Sequence, residues 1–326
     1  MKKKAGTMIQ VFKTTIRLLI NFGIATGIIY FVKNVVFRKD NKLGRHFHKL
    51  QYDSIKKSIE KKYHKCIEKY QEKTTQYKFL KNQHGIVNDK YIWLIWWQGL
   101  DGDTPGKIKE NVENLKKVNN DWKVVLVSKE NYKEFINIPC CLEEHIRKGK
   151  ISMTHISDYL RIALLEKYGG VYIDCNFFVL RKFEFEENQL FFTIKHGLFS
   201  KWHVSKGLWT TGLLAAGRKN ILFTFLKEMY DNYFEDYSFV PSYFFIDVLI
   251  GIGYENISLI KKEIDDVRKN NEEYNFINEN GNDIFDNKVW QKVKKNTYVF
   301  NVNYKNYFEY EKLGRRTYYG NLYREK

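Results

Sequence analysis

The chain contains a run in which acid, guanidinium and glycine fall at fixed intervals. It reads Ser157-Asp158-Tyr159-Leu160-Arg161, then Tyr168-Gly169-Gly170-Val171-Tyr172-Ile173-Asp174-Cys175-Asn176. Asp158 and Arg161 are three residues apart, so a helix places them on one face. A carboxylate there can accept from sugar hydroxyls, and a guanidinium can clamp hydroxyl or phosphate oxygens with its fork of donors. The paired glycines permit a sharp turn into a strand packed closely on that helix. The strand would deliver Asp174 at its end, where a carboxylate oxygen can meet a hard cation bridging a diphosphate.

The flanking sequence supplies elements to hold these groups. His155–Tyr168 reads as a helix stopped by Gly169 and Gly170, and Val171–Ile173 as a strand. Upstream, Tyr91–Trp97 (YIWLIWW) reads as a buried strand, Lys107–Val118 as an amphipathic helix and Trp122–Val127 as the next strand. This β-α-β-α-β order predicts an α/β fold with a mainly parallel central sheet and helices on both faces. Ligands in such sheets bind beyond the carboxyl ends of the strands, the edge reached by the loop after Trp97 and by Asp174–Asn176. Leu190–Thr193 reads as a further strand and Ile221–Phe234 as a helix. Earlier in the chain, Ile55, Ile59, Tyr63, Cys66, Ile67 and Tyr70 recur at helical spacing and predict one long helix over Tyr52–Phe79. The turn-rich Lys81–Asp89 marks a boundary after it.

The stretch resembles the DXD-type glycosyltransferases with a single Rossmann-like GT-A fold. More narrowly, it is similar to the capsular polysaccharide synthesis proteins related to glycosyltransferase family 32, in which an SD-x-x-R helix leads into YGG-[VI]-Y-x-D. The opening Ile95-Trp96-Trp97-Gln98-Gly99, then Pro105, Asn119-Asn120-Asp121-Trp122 and Asn131-Tyr132, is similar too. The likeness covers Tyr91–Leu180 well and continues more weakly to Tyr323. It implies transfer of a sugar from a nucleoside diphosphate sugar to a hydroxyl of a glycan or lipid-linked glycan, with retention of configuration and a divalent cation, Mn2+ or Mg2+. It implies Trp96, Trp97 and Gln98 beside the nucleotide base, and Asp158 and Arg161 on the ribose or sugar. Asp174 would then touch the metal or diphosphate, with Asn176 standing where the second acid of the motif would be. Asn offers a neutral oxygen, which lowers metal affinity or holds the ion through water. A catalytically silent, membrane-bound scaffold of a polysaccharide assembly complex is the alternative that Asn176 supports.

Other residues keep two readings. Asp101-Gly102-Asp103 is a second DXD match, read as a turn with solvated carboxylates or as a lid. His196, Trp202, His203, Lys206 and Trp209 are acceptor-side candidates or anchors of an ordinary loop. Asp247, a carboxylate in an apolar helix, is a base with a raised pKa or a buried partner for a lysine. Arg315 and Arg316 close a basic loop over the diphosphate or are surface charge.

The net charge of +17 calls for an anionic partner. It is spread along Lys-rich segments without zinc-finger spacing or an RNP-like motif, which points away from nucleic acid and toward a membrane surface and a phosphate-bearing ligand. Met8–Phe37 is largely apolar, with Leu18–Val32 its cleanest run; Lys13 and Arg17 interrupt the part before that run, and Lys33, Arg38, Lys39, Lys42 and Arg45 follow it. An interfacial helix, a single span and a helix buried on the domain all fit it. The expected organisation is a membrane-associating segment over 1–45, an amphipathic helical linker over 46–84 and a glycosyltransferase domain over 85–326. The expected place is the cytoplasmic face of the cell membrane. Cys66, Cys140, Cys141 and Cys175 fit no zinc spacing and read as free thiols in a reducing compartment. No Walker loop, dinucleotide glycine fingerprint or His-Glu-x-x-His helix occurs, so kinase-like, dehydrogenase and zinc-protease readings lack their first requirement.

Overall fold

The computed structural model describes residues 2–75, 84–197 and 202–324. Four helices come first, α1 (Lys2–Phe22), α2 (Ile24–Val35), α3 (Lys42–Lys62) and α4 (His64–Thr75). The sheet-bearing part runs β1 (Tyr91–Ile95), α5 (Gly106–Val118), β2 (Lys123–Val127), α6 (Tyr132–Phe135), α7 (Cys140–Arg147), α8 (Met153–Tyr168) and β3 (Gly170–Ile173). It continues through β4 (Phe177–Val179), β5 (Phe191–Thr193), β6 (Leu213–Ala216), α9 (Ile221–Asp236), α10 (Phe245–Asn256) and α11 (Ser258–Asp266). Last come α12 (Phe276–Asn280), α13 (Asn287–Asn296), β7 (Val299–Asn301), the β8–β9 hairpin (Glu311–Lys312, Arg315–Arg316) and α14 (Tyr318–Arg324).

The central sheet has the order β2-β1-β3-β6-β5. β1 pairs in parallel with β2 and β3, whereas β6 runs antiparallel to both β3 and β5. Four strands therefore run one way and one runs against them, so the α/β expectation holds with a mixed sheet. The reversal fits the connectivity: between β5 and β6 no crossover helix occurs among the described residues, and antiparallel neighbours need none.

Alternation along the strands sorts the core into two layers. Trp93, Ile95 and Tyr172 face α8, α9 and α10, while Ile92, Leu94, Val171 and Ile173 face Ile108, Val112 and Leu115 of α5. Tyr52, Ile55, Ile59, Tyr63, Cys66, Ile67 and Tyr70 all join the first layer. The single helix expected over Tyr52–Phe79 is two helices, because the backbone breaks at Tyr63 (φ −105°, ψ 26°). There the Tyr63 hydroxyl donates to Asp236 at 2.8 Å, anchoring the bend on α9. Residues 76–79 lie outside the described residues, as do 81–83 of the expected boundary.

Gly170 shows why this strand entry needs glycine. Its φ is +92°, and a Cβ there would lie 2.3 Å from the Tyr91 carbonyl oxygen. Gly170→Ala is expected to destabilise the protein by about 2 kcal/mol or more, from strain at positive φ plus the clash across the β1–β3 pair. Urea denaturation of the variant and the parent measures this.

Candidate active site

β1 and β3 are parallel neighbours, so Trp96 and Asp174, just past their ends, emerge on the same edge. α8 leads back to β3 and lays Ser157, Asp158 and Arg161 along that edge. A cleft of about 290 Å³ opens here, lined by Trp96, Ser157, Asp158, Arg161, Asp174 and Asn176 among others.

Arg161 is the hub. Its Nη2 lies 3.2 Å from Asp158 Oδ1 and 3.8 Å from Asp174 Oδ1, and its Nη1 donates to the Thr211 carbonyl at 2.7 Å. The guanidinium also sits 4.4 Å from the centre of the Tyr172 ring. The Arg161 and Asp158 side chains are 7% and 5% exposed, whereas Asp174 is 36% exposed, its tip open to the cleft. The other Asp158 oxygen is 3.3 Å from His155 Nδ1. Tyr172 donates its hydroxyl to Asp174 Oδ1 at 2.5 Å, and the Gly212 carbonyl accepts from the Asp174 N–H at 2.8 Å. Crowding by the cleft walls raises the Asp174 pKa, against the pull of Arg161 and the Tyr172 hydroxyl.

Asn176 lies beside Asp174 in the cleft, and no hydrogen-bond donor among the described residues reaches its buried Oδ1. A buried carbonyl oxygen left this way, next to a carboxylate, is a donor set that suits a hard cation. No group of three His, Cys, Asp or Glu able to hold a metal occurs among the described residues, so ligand oxygens and water would have to complete the shell.

A second cavity of about 400 Å³ adjoins the first and shares Asp174, Asn176, Thr211, Phe244 and Asp247 with it. Its remaining wall includes Trp202, His203, Trp209 and Tyr274, with His48 from α3. Asp247, 4% exposed, thus stands between the two spaces, with the Trp209 Nε1–H donating to it at 2.9 Å. Burial pushes its carboxyl up to about 7, partly offset by that hydrogen bond. The raised value means that the folded state holds a proton the unfolded chain releases near pH 4. Stability contributed by this group is therefore present below about pH 4 and falls as the pH rises toward 7. Asp247→Asn is expected to remove that slope, approaching 1.4 kcal/mol per pH unit at most. Subtracting denaturation curves of variant and parent isolates it from Glu263, whose carboxyl burial also raises to about 7.

The other sequence candidates divide. Trp96 lines the cleft and meets Tyr304 edge-to-face at 5.8 Å. Trp97 turns into the core against Tyr132, with ring centres 5.4 Å apart, and Gln98 is exposed on the following turn; neither lines the cleft. Strand alternation explains this split, since adjacent side chains at a strand end point to opposite sides. His196 is buried behind the second cavity, stacked on Tyr274 at 4.6 Å. Lys206 pairs with Glu255 at 3.1 Å away from both spaces. Arg315 and Arg316 lie on the exposed β8–β9 hairpin and line neither cavity; Arg316 donates to Asn321 at 3.3 Å. Asp101 accepts from the Asp103 N–H in an exposed turn. Residues 198–201 of the Trp- and Lys-rich loop lie outside the described residues.

Sequence reading missed Tyr172, Thr211, Gly212 and Tyr274. Tyr172 was detectable, because positions i and i+2 of a strand share a face and Tyr172-Ile173-Asp174 has that spacing. Gly212 has no sequence signal; a Cβ there would come 2.8 Å from Asp174 Oδ2.

The model of the family described as "Capsular polysaccharide synthesis protein" matches residues 36–322, and the chain belongs to that family. It is also similar to the O-glycosyltransferase braB of Annulohypoxylon truncatum, 28% identical over 115 residues. That match takes in 32% of this chain and 27% of the fungal protein, so the chain spans about a quarter of that relative's length. Among solved structures it is similar to the PaToxG glycosyltransferase, with a TM-score of 0.39 and 15% identity over 68% of this chain and 83% of that one.

Proposed function

We propose that the protein is a metal-dependent glycosyltransferase of GT-A type that takes its sugar from a nucleoside diphosphate sugar. The observation that carries this reading is the convergence of Asp158, Arg161 and Asp174 on one cleft beyond the carboxyl ends of β1 and β3. Family membership and the similarity to a protein named as an O-glycosyltransferase support it.

The charge balance argues for a cation. A bare diphosphate entering this cleft would meet Asp158, Asp174 and, at high pH, Asp247, with Arg161 already engaged by Asp158 and Thr211. A Mn2+ or Mg2+ ion held by Asp174 and Asn176 would reverse the local sign and stabilise the charge growing on the leaving diphosphate. Arg161 is pinned on two sides, so it meets that charge with little reorganisation. Asp158, fixed by Arg161 and His155, is placed to accept from sugar or ribose hydroxyls, and Trp96 offers a ring face to the base.

The acceptor glycan belongs in the second cavity, where Trp202, Trp209 and Tyr274 supply apolar ring surface and Asp247, Thr210 and Asn301 supply polar contacts. Retention, implied by the family resemblance, needs no protein base. Inversion would need one, and the position of Asp247 between the cavities favours it as that base. Proton NMR of the first anomer formed separates the two. The parent experiment is a screen of nucleotide sugars for release of nucleoside diphosphate with and without Mn2+. Release that depends on the ion and vanishes with chelator is expected; no release from any donor would leave the scaffold reading.

A further inference from the structure

α1 and α2 fold back on each other about Gly23 (φ +93°), with Phe12 edge-to-face on Phe31 at 5.8 Å. One side of this hairpin is docked: Val11, Thr14, Thr15 and Leu18 are buried, Arg17 lies over Phe239, and Phe22 packs on Tyr237. Asn34 donates to Gln51 of α3 at 3.1 Å, and Phe37 stacks on Phe47 at 4.3 Å. The opposite side is not what a water-facing helix carries. Met8, Ile9, Phe12, Ile16 and Ile20 are exposed on α1, and Ile24 and Ile28 on α2, with Ile20 at 76% and Ile24 at 71%. At 100° per residue the five on α1 fall within an arc of about 120°. Lys13 borders that arc, and the exposed Arg38, Lys39 and Lys42 follow α2.

We infer that the α1–α2 hairpin lies in the plane of an anionic lipid surface, sinking this apolar arc into the acyl boundary while its basic border meets the headgroups. Each helix spends one face on the protein and keeps a second apolar face for the bilayer, the amphipathic pattern of an interfacial element. The lysines and arginines beside the arc, in a chain of net charge +17, select anionic over neutral lipid. No helix among the described residues is long and apolar enough to cross a membrane. The hairpin lies before residues 36–322, the part that the family model matches. The inference rests on no catalytic assignment. It does bear on delivery of an acceptor, because α3, directly after the hairpin, supplies His48 to the second cavity.

The test is vesicle flotation of the full-length protein with phosphatidylcholine alone and with phosphatidylcholine containing phosphatidylglycerol. The parent is expected to float with the anionic vesicles, to lose binding as salt rises, and to be released by an alkaline carbonate wash. Changing Ile9→Glu, Ile16→Glu and Ile20→Glu together should lower the bound fraction tenfold or more with the melting temperature unchanged, since all three positions are exposed. Equal binding to neutral vesicles, retention through the carbonate wash, or undiminished flotation of the triple variant would each overturn the proposal. So would a parent that ignores both vesicles and instead self-associates through this face, seen as a dimer that the triple variant abolishes.

Discussion

Asp174→Asn is expected to lower metal-dependent turnover of the nucleotide-sugar donor by one to two orders of magnitude while the protein stays folded. Asparagine keeps an oxygen to accept from the Tyr172 hydroxyl and keeps the N–H that reaches the Gly212 carbonyl, so the local frame survives. What disappears is one full negative charge from the proposed ion site, leaving two neutral amide oxygens at positions 174 and 176. A divalent cation held by neutral oxygens alone is bound more weakly, and its support of the leaving diphosphate weakens with it. The check is turnover across a Mn2+ titration alongside a thermal melt. A folded variant with parental turnover at every ion concentration would remove Asp174 from the mechanism.

The second large effect is on stability. Arg161→Ala is expected to cost about 3–5 kcal/mol, the usual penalty for removing one partner of a buried ion pair. Asp158 would be left buried with His155 as its remaining side-chain neighbour, the Thr211 carbonyl would lose its donor, and the ring of Tyr172 would lose its cation. Urea denaturation of the parent and the variant measures the difference. The double variant Asp158→Asn/Arg161→Met should recover part of the loss, because it removes the stranded charge along with the guanidinium. A double variant no more stable than Arg161→Ala would show that the guanidinium's bond to the Thr211 carbonyl, not charge pairing with Asp158, sets the penalty.

Much of this site could be read before any coordinates, because it is built from local rules. The helix–glycine–strand passage from Ser157 to Asp174 is contiguous, and its spacings fix which side chains share a face. The apolar series from Ile55 to Tyr70 likewise named the side of α3 and α4 that is buried. What escaped depends on distant partners. The break at Tyr63 is set by Asp236, which lies far along the chain, and the fold-back at Gly23 by packing between α1 and α2. The reversed β6 depends on where the chain after β5 returns, which no periodicity records. Trp96 and Trp97 look equivalent in sequence, yet one faces the cleft and the other the core. Thr211 and Gly212 act through backbone carbonyls, and a main-chain oxygen leaves no mark in residue type. Asp247 was visible as an oddity in an apolar helix, and its place between two cavities was not.

The dipeptide Thr211-Gly212 links the two halves of the cleft more tightly than its size suggests. One carbonyl restrains the arginine, the next restrains the strand-end aspartate, and Thr211 and Gly212 together form wall for the neighbouring space. Under the proposed function, room for a different acceptor could not be carved there without loosening the hold on the donor. On that reading, changes of acceptor are therefore steered to Trp202 and His203 on another wall of that space, leaving the proposed donor site untouched.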